Sequence, residues 1–320
     1  MVQKFGRFFF TSIVMLVLFW NLYERQTIKI QVYCQKENLT IEMSIKDKKR
    51  LEALFYDLFF RDTGAYTLFG QKPMFMSTYT TPLVSDGSEP FIPNGWKDFV
   101  CSIFACNLKQ YIGWKTWQKY QSQFPISKFV FLKEKNPFRA EPHSCYSILL
   151  IYKQKLQETI DSNLKDFQTV LRKDPISAEE LLQEAKSKPF FQDILKLHDG
   201  LIGTIFGFGR NNAWFFEAQK QGKQTPLAYV WEEEKYGYEP FSWRDWAWML
   251  LGFYSLDIEK SLGYPGFMAD LNSQETKKIK EDLLNTRREI IKCYKNKDLV
   301  ETTLNLLING PPEKYSTMMN

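Results

Sequence analysis

The chain has 320 residues, of which 44% are hydrophobic, 25% charged and 16% aromatic, which excludes global disorder and allows one large domain or two ordinary ones. Its 42 basic and 37 acidic residues give a formal net charge of +5 and are mixed along the chain, so no polybasic footprint for nucleic acid stands out. Five cysteines, Cys34, Cys101, Cys106, Cys145 and Cys293, show neither Cys-x-x-Cys nor a paired histidine spacing; no metal site is read, and the thiols are either buried or, in an exported body, joined in one or two disulfides.

At the N-terminus a flank carrying Lys4 and Arg7 precedes an apolar run from Phe8 to Trp20, broken only by Thr11 and Ser12. Counted from Phe5 to Tyr23 the stretch is just long enough to cross a bilayer. Trp20, Asn21, Leu22 and Tyr23 are all large and offer no small-x-small cleavage site, so residues 1–26 read as an uncleaved signal anchor. The alternative is the buried N-terminal helix of a soluble cytoplasmic protein. Lys4, Arg7 and the amino terminus outweigh Arg25 and Lys29 by a thin margin, which puts the body outside the cytoplasm.

The body, residues 27–312, reads as a single α+β domain with a sub-boundary near 174–177, followed by a flexible tail at 313–320. Ile28, Ile30 and Val32 alternate with polar residues, and Leu39 to Met43 does so again, which predicts one or two short strands joined through Lys36-Glu37-Asn38. Ser44 to Asp47 forms a capping box opening a helix whose Leu51, Leu54, Phe55, Leu58 and Phe59 share one face. The helix ends in a glycine-bounded loop, Arg61 to Met74.

A proline- and glycine-rich loop from Thr80 to Gly95 ends at a cap, Asn94, and leads to a helical stripe of Val100, Ile103, Phe104 and Leu108, continued with a kink near Gly113 through Trp114 and Trp117. Lys128–Lys133 and Cys145–Tyr152 are short apolar runs, predicted as partner strands around the loop Asn136 to His143. A long helix follows with Leu156, Ile160, Leu164, Phe167 and Leu171 on one face, ended by Asp174-Pro175. Ser177 to Glu180 caps a shorter helix, and Pro189 opens another with the face Phe191, Ile194, Leu195, His198 and Ile202. Beyond Lys223, Ala228 to Trp231 is a strand or loop; Ser242 caps an apolar helix running to Leu262, stopped by Gly263. Two helices close the chain, Ser273 to Asn296 and Asp298 to Asn309, the latter stopped by Gly310-Pro311-Pro312. The sum is a helix-rich α+β body with a small mixed or antiparallel sheet packed by amphipathic helices, preceded by the anchor helix.

Two stretches carry the candidate functional residues. In His198 to Trp214 four glycines interrupt an apolar run, and Gly200, Gly203 and Gly207, with Asn211 and Trp214, share one face if the segment is helical. A bare face of this kind serves close packing, for example against Trp246 to Leu256, or else forms an anion cradle in which Arg210 is a bidentate donor and Asn211 and Asn212 orient the ligand. The stretch lacks the Lys-Ser/Thr of a phosphate-binding loop. His198 and Asp199, being adjacent, point apart and make no catalytic pair.

In the other stretch Arg61, Asp62, Tyr66 and Lys72 gather on the loop behind the first helix as a ligand-binding set; the alternative is an Arg61–Asp62 ion pair pinning the turn, with Tyr66 and Phe69 as packing. The tryptophans, Trp96, Trp114, Trp117, Trp231, Trp243, Trp246 and Trp248, read as core rather than as a sugar cleft. Glu232 to Glu234 reads as a solvated run.

At Phe59 to Met74 and Gly207 to Trp214 the chain resembles uncharacterised hypothetical proteins of chlamydia-like intracellular bacteria. The resemblance covers those two segments and implies a bacterial source, but no activity, fold or catalytic residue.

The leading expectation is a bacterial envelope or surface protein anchored through residues 5–23, whose globular body binds a protein or small-molecule partner without a cofactor. The competing one is an anchored hydrolase or transferase acting on an anionic or sugar-like envelope substrate through Arg61, Asp62, Arg210 and Asn211, which requires those residues to share a cleft.

Overall fold

Residues 22–23, 25–34, 37–80, 106–138, 145–231 and 257–312 are described in a computed structural model of the chain. Most of the apolar run that reads as an anchor, the expected Thr80–Gly95 loop beyond Thr80, the start of the Trp96 helix, His143, most of the Ser242–Leu262 helix, Glu232 to Glu234 and the 313–320 tail lie outside the described residues; Thr80 itself ends a strand. So do Trp96, Trp243, Trp246 and Trp248.

The chain enters the body as a hairpin, so the alternation marks two strands rather than one. Strands β1 (Thr27–Cys34) and β2 (Glu37–Ser44) run antiparallel with Thr27 opposite Ser44 and Cys34 opposite Glu37. Glu37 and Asn38 therefore belong to the strand rather than to its connection. Ile30, Val32, Ile41 and Met43 face inward and are buried. Ser44 then caps α1 (Ile45–Tyr56), its hydroxyl accepting the Asp47 N–H at 3.0 Å, a bond of the kind worth about 1 kcal/mol.

A three-stranded antiparallel sheet forms the middle of the body. Strand β3 (Met74–Thr80) and strand β4 (Phe129–Lys135) flank the central β5 (Cys145–Tyr152). Side chains alternate between its faces. Ile148, Leu150, Phe75 and Phe129 point into one core with Ile30, Leu54, Phe59 and Trp117; Leu149, Ile151 and Met74 point into a second with Leu156, Phe167, Leu181 and Leu201. Both faces of β5 are thus dry, which is why its sequence is a continuous apolar run rather than an alternation.

The first core is covered by α1, α3 (Cys106–Tyr120), α10 (Gln274–Tyr294) and α11 (Leu299–Asn309), with the one-turn α2 (Ala65–Leu68) between α1 and β3. The second is covered by α4 (Lys153–Ser162), α5 (Leu164–Leu171), α6 (Ala178–Glu184) and α7 (Asp199–Ile205), after which α8 (Arg210–Lys220) folds back on α7. Ile176 and Ala178 sit in the same core as Leu171 and Leu181, on either side of the 174–177 break. A small pair, β6 (Leu227–Tyr229) with β7 (Met268–Asp270), and the one-turn α9 (Ile258–Ser261) complete the described body. The architecture is helix-rich α+β with small antiparallel sheets. Among the described residues no helix is long and apolar enough to cross a membrane.

Four elements depart from the sequence expectation. Helix α3 runs unbroken through Gly113; the glycine lets α1 approach, since a Cβ there would lie 2.7 Å from that of Leu54. The long helix predicted through Leu171 divides at Asn163, whose side-chain amide donates to the Thr159 carbonyl at 2.8 Å, and Leu164, placed on the buried stripe by its spacing, is 38% exposed. The helix predicted from Pro189 to Ile202 is a π-helical turn, Phe190–Ile194, followed by Lys196 and Leu197 in the left-handed region, because Lys196 Nζ reaches back to the Val170 and Leu171 carbonyls that end α5. Finally, the helix predicted to run into Leu262 does not cross residue 257: the Asp257 carboxylate accepts the Lys260 N–H at 3.1 Å and starts α9 afresh. The closing helices follow prediction, capped by Ser273 and Asp298 and stopped at Gly310. Cys34 and Cys293 are free, half-buried thiols.

Candidate functional site

The Arg61 stretch is not a surface loop. Past Tyr56 helix α1 widens into a π-helical turn, Asp57–Arg61, in which the Asp62 N–H reaches the Asp57 carbonyl at 2.9 Å. The extra residue rotates Phe60 inward beside Phe59, and its ring meets Tyr294 edge-on at 4.9 Å. Residues 64–70 are all buried.

The polar set divides accordingly. Arg61 pairs with Asp57 at 3.1 Å, one helical turn earlier, rather than with Asp62. The Asp62 carboxylate accepts the Ser77 hydroxyl from β3; desolvation holds its carboxyl up at about 6, against that hydrogen bond, which favours the charged form. Tyr66 is fully buried and donates to the Gly263 carbonyl at 3.1 Å, and burial pushes its phenol above the usual range. Lys72 is only 6% exposed, with its ammonium 5.1 Å from the Phe208 ring centre and 5.9 Å from that of Phe206; burial alone pulls its amine down to about 7.

The glycine stretch is a helical hairpin, not one helix. Helix α7 stops at Phe206, Gly207 and Gly209 take φ of +76° and +88°, and α8 begins at Arg210. Only glycine adopts such angles without strain. The bare face then works across the hairpin: a Cβ on Gly203 would lie 2.7 Å from that of Ala213, so α8 itself is the close neighbour. Close packing is what these glycines serve, with the next helix in the chain.

The start of α8 attracts a negative group, as a helix N-terminus should, and the chain supplies one. Glu275, in the first turn of α10, accepts the Asn211 N–H at 3.1 Å. Arg210 is a bidentate donor, but its acceptor is Asp166 at the start of α5, with 2.9 Å from Nη2 to Oδ1. Asn212 is 1% exposed and ties three elements together: its amide nitrogen donates to the Phe208 carbonyl at 2.9 Å and the Thr276 hydroxyl at 3.0 Å, and its oxygen accepts the Asp270 N–H at 3.1 Å. The Asn211 side chain is exposed. His198 caps α7, its Nδ1 accepting the Leu201 N–H at 3.3 Å, while Asp199 pairs with Lys220 at 2.5 Å.

Cross-capping by glutamate recurs. The Asp199 N–H donates to Glu217 at 3.0 Å, and the Phe190 and Phe191 N–H groups donate to Glu134 on β4 at 2.5 and 3.3 Å. Sequence reasoning missed Glu134, Glu217 and Glu275, since each caps a helical turn remote from it in sequence and no local pattern marks it.

The two stretches do meet. A Cβ on Gly207 would lie 3.4 Å from Pro73 and 3.5 Å from Lys72, so the turn of the hairpin rests on the end of the Arg61 stretch. What fills the junction is aromatic: Phe191 stacks on Phe206, Phe206 on Phe208, and Phe208 on Phe267 at 4.9 Å. Arg61 and Arg210 are engaged with Asp57 and Asp166 respectively. Trp114, Trp117 and Trp231 are buried. Among the described residues no three His, Cys, Asp or Glu side chains gather as metal ligands. Two shallow, open concavities lie elsewhere, one of about 350 Å³ lined by Arg172 to Ile176 with Glu180, Leu181 and Glu184, the other of about 290 Å³ between α1 and α3.

Comparison with protein-family models, with curated proteins and with solved structures finds no match to this chain.

Proposed function

We propose that this is a single-pass, membrane-anchored bacterial envelope protein, held by residues 5–23, whose body lies outside the cytoplasm and binds a partner or ligand rather than catalysing a reaction. The observation that carries the anchor is the point of entry into the body. Leu22 and Tyr23, at the end of the apolar stretch, are 62% and 48% exposed, and the first buried side chain of the hairpin is Ile30. An apolar stretch feeding the core would bury its last large residues; a stretch leaving for a bilayer leaves them at the surface, where an aromatic and a basic flank suit an interface.

The residues on which the enzyme reading rests are used by the fold itself. Arg61, Tyr66, Arg210 and Asn212 each spend their hydrogen bonds inside the body. A catalytic set needs groups aimed at a shared space.

Fractionation with alkaline carbonate tests the anchor. The full chain stays in the membrane pellet and a chain lacking residues 1–24 moves to the soluble fraction; equal recovery of both in the soluble fraction sinks the anchor and leaves the soluble reading. Protease access in spheroplasts tests the orientation, with digestion of the body expected. Asn211→Ala tests whether this exposed side chain serves the function at all, because it can be removed without touching the fold. Rescue of a deletion strain by this variant is expected, and loss of rescue at unchanged melting temperature would return Asn211 to a functional site.

A further inference from the structure

The concavity between α1 and α3 lies close to the membrane end of the body. Thr27 pairs with Ser44, and the Ile45 N–H donates to the Gln26 carbonyl at 3.0 Å, so α1 starts beside the residues that follow the apolar stretch. Its opening is Ile45-Lys46-Asp47-Lys48-Lys49-Arg50. Lys46, Lys49 and Arg50 are spaced i, i+3 and i+4, and Arg50 is about 8 Å along the axis from Ile45.

Helix α3 comes near at Gly113, where a Cβ would lie 3.0 Å from the Arg50 carbonyl, and brings Lys115 and Lys119, one turn apart, to the same seam. Arg50, Lys115 and Lys119 line the 290 Å³ concavity with Tyr111, Ile112, Thr116 and Asp47. Of the acidic groups there, Asp47 is consumed: it accepts Lys119 Nζ at 2.7 Å, the Tyr120 hydroxyl at 2.8 Å and Arg50 at 3.3 Å. Glu42 faces Lys29 at 3.6 Å, Asp298 takes Lys48, and the half-buried Glu52 lies within electrostatic reach of Lys48 and Lys49. Lys115 is exposed, reaches over the Tyr111 ring at 5.9 Å, and makes no ion pair among the described residues. Three cations against one carboxylate leave the concavity positive.

We infer that this seam seats the phosphodiester headgroup of an anionic lipid, with Arg50, Lys115 and Lys119 around the phosphate and Lys46 and Lys49 against the bilayer surface. The inference rests on the anchored reading, which puts the start of α1, hydrogen-bonded to Gln26, beside the chain's exit, where an anionic surface acts over a Debye length of ~8–10 Å. A juxtamembrane cation near an anionic surface strengthens attachment by about fivefold. Arg50 and Lys119 are oriented by Asp47, whereas Lys46 and Lys115 stand exposed beside them.

Lysine-directed acylation of the full chain, read by mass spectrometry, tests it in phosphatidylcholine vesicles and in vesicles that also contain phosphatidylglycerol. Phosphatidylglycerol should lower the labelling of Lys46, Lys49, Lys115 and Lys119 several-fold and leave the exposed Lys186 and Lys223 unchanged. Free glycerophosphate added to the phosphatidylcholine sample should not protect, which separates a lipid surface from a soluble phosphate. The double variant Lys46→Glu, Lys115→Glu, which spares the Asp47 bonds, should erase the lipid effect at Lys49 and Lys119. Equal labelling in the two lipids, protection that extends to Lys186, or protection by glycerophosphate alone would overturn the seam. Flotation of the same samples reports the anchor separately: a chain that floats only with phosphatidylglycerol keeps the seam and loses the anchor, and one that floats with neither loses both.

Discussion

The Glu275 carboxylate accepts the backbone N–H of Asn211 at 3.1 Å, so the helix N-terminus that looks like an anion cradle is satisfied by the chain's own α10. Next to it, Asn212 joins the Phe208 carbonyl, Thr276 and the backbone of Asp270. Glu275→Gln should cost about 1 kcal/mol, the usual worth of a cap with its charge at a helix N-terminus. Asn212→Ala, which strands the partly buried Phe208 carbonyl and Asp270 N–H and removes a buried bond to Thr276, should cost roughly 2–3 kcal/mol. Urea denaturation compares the two, and a larger effect of the Glu275 change would contradict the ranking.

Gly203 and Ala213 face each other across the α7–α8 hairpin. Gly203→Ala puts two Cβ atoms 2.7 Å apart and should destabilise by roughly 1–3 kcal/mol, although alanine is the better helix former. The reciprocal pair, Gly203→Ala with Ala213→Gly, relieves the clash and should recover most of the loss. A double-mutant cycle with no coupling between the sites would show that the hairpin yields instead of clashing.

Lys72 should leave a mark on the pH dependence of stability. Its amine titrates at about 7 in the folded chain and at 10.5 in a solvated one. Between those values the unfolded chain binds a proton that the folded chain does not, so stability rises as pH climbs through the window and the penalty is complete below it. Lys72→Met keeps the length of the side chain over Phe206 and Phe208, should stabilise the protein at neutral pH by roughly 2–4 kcal/mol, and should flatten the slope on the alkaline side. An unchanged slope in the variant would sink this assignment.

Asp62 acts with the opposite sign at lower pH. Its carboxyl releases a proton at about 6 in the folded chain against 3.8 when solvated, so between those values the folded chain holds a proton that the unfolded chain has lost, and stability falls as pH rises. Asp62→Asn can still accept the Ser77 hydroxyl and should remove that fall. Melting temperatures measured at both ends of the window decide it.

What could be read from the sequence was local. Ser44, Ser177, Ser273 and Asp298 cap the helices they precede, the β1–β2 hairpin keeps its alternation, and Gly310 stops α11, because each depends on residues a few positions away. Strand β3 escaped notice because Met74 to Thr80 looks like the end of a loop until β5 is laid beside it. The break at Asn163 and the left-handed pair Lys196–Leu197 interrupt apolar stripes that continue on both sides, so periodicity runs straight over them.

The candidate site was legible as a pair of unusual stretches, and they do touch. The partners of their polar groups, Asp57 excepted, are remote: Asp166 for Arg210, Gly263 for Tyr66, Thr276 for Asn212. Composition and spacing identified residues that needed partners; only the fold says that the partners are internal.

The position of β5 between two separate cores sets an order of assembly. Phe129 pairs with Tyr152 across a modest loop, whereas Met74 must find Ile151 across everything that lies between them, including α3 and β4. Loop closure favours the nearer pairing, so the β4–β5 hairpin should form first and wait with one edge open for β3. Until that edge is filled, the driest strand of the protein is an exposed template for another chain, which makes the arrival of β3 the step at which folding and aggregation compete.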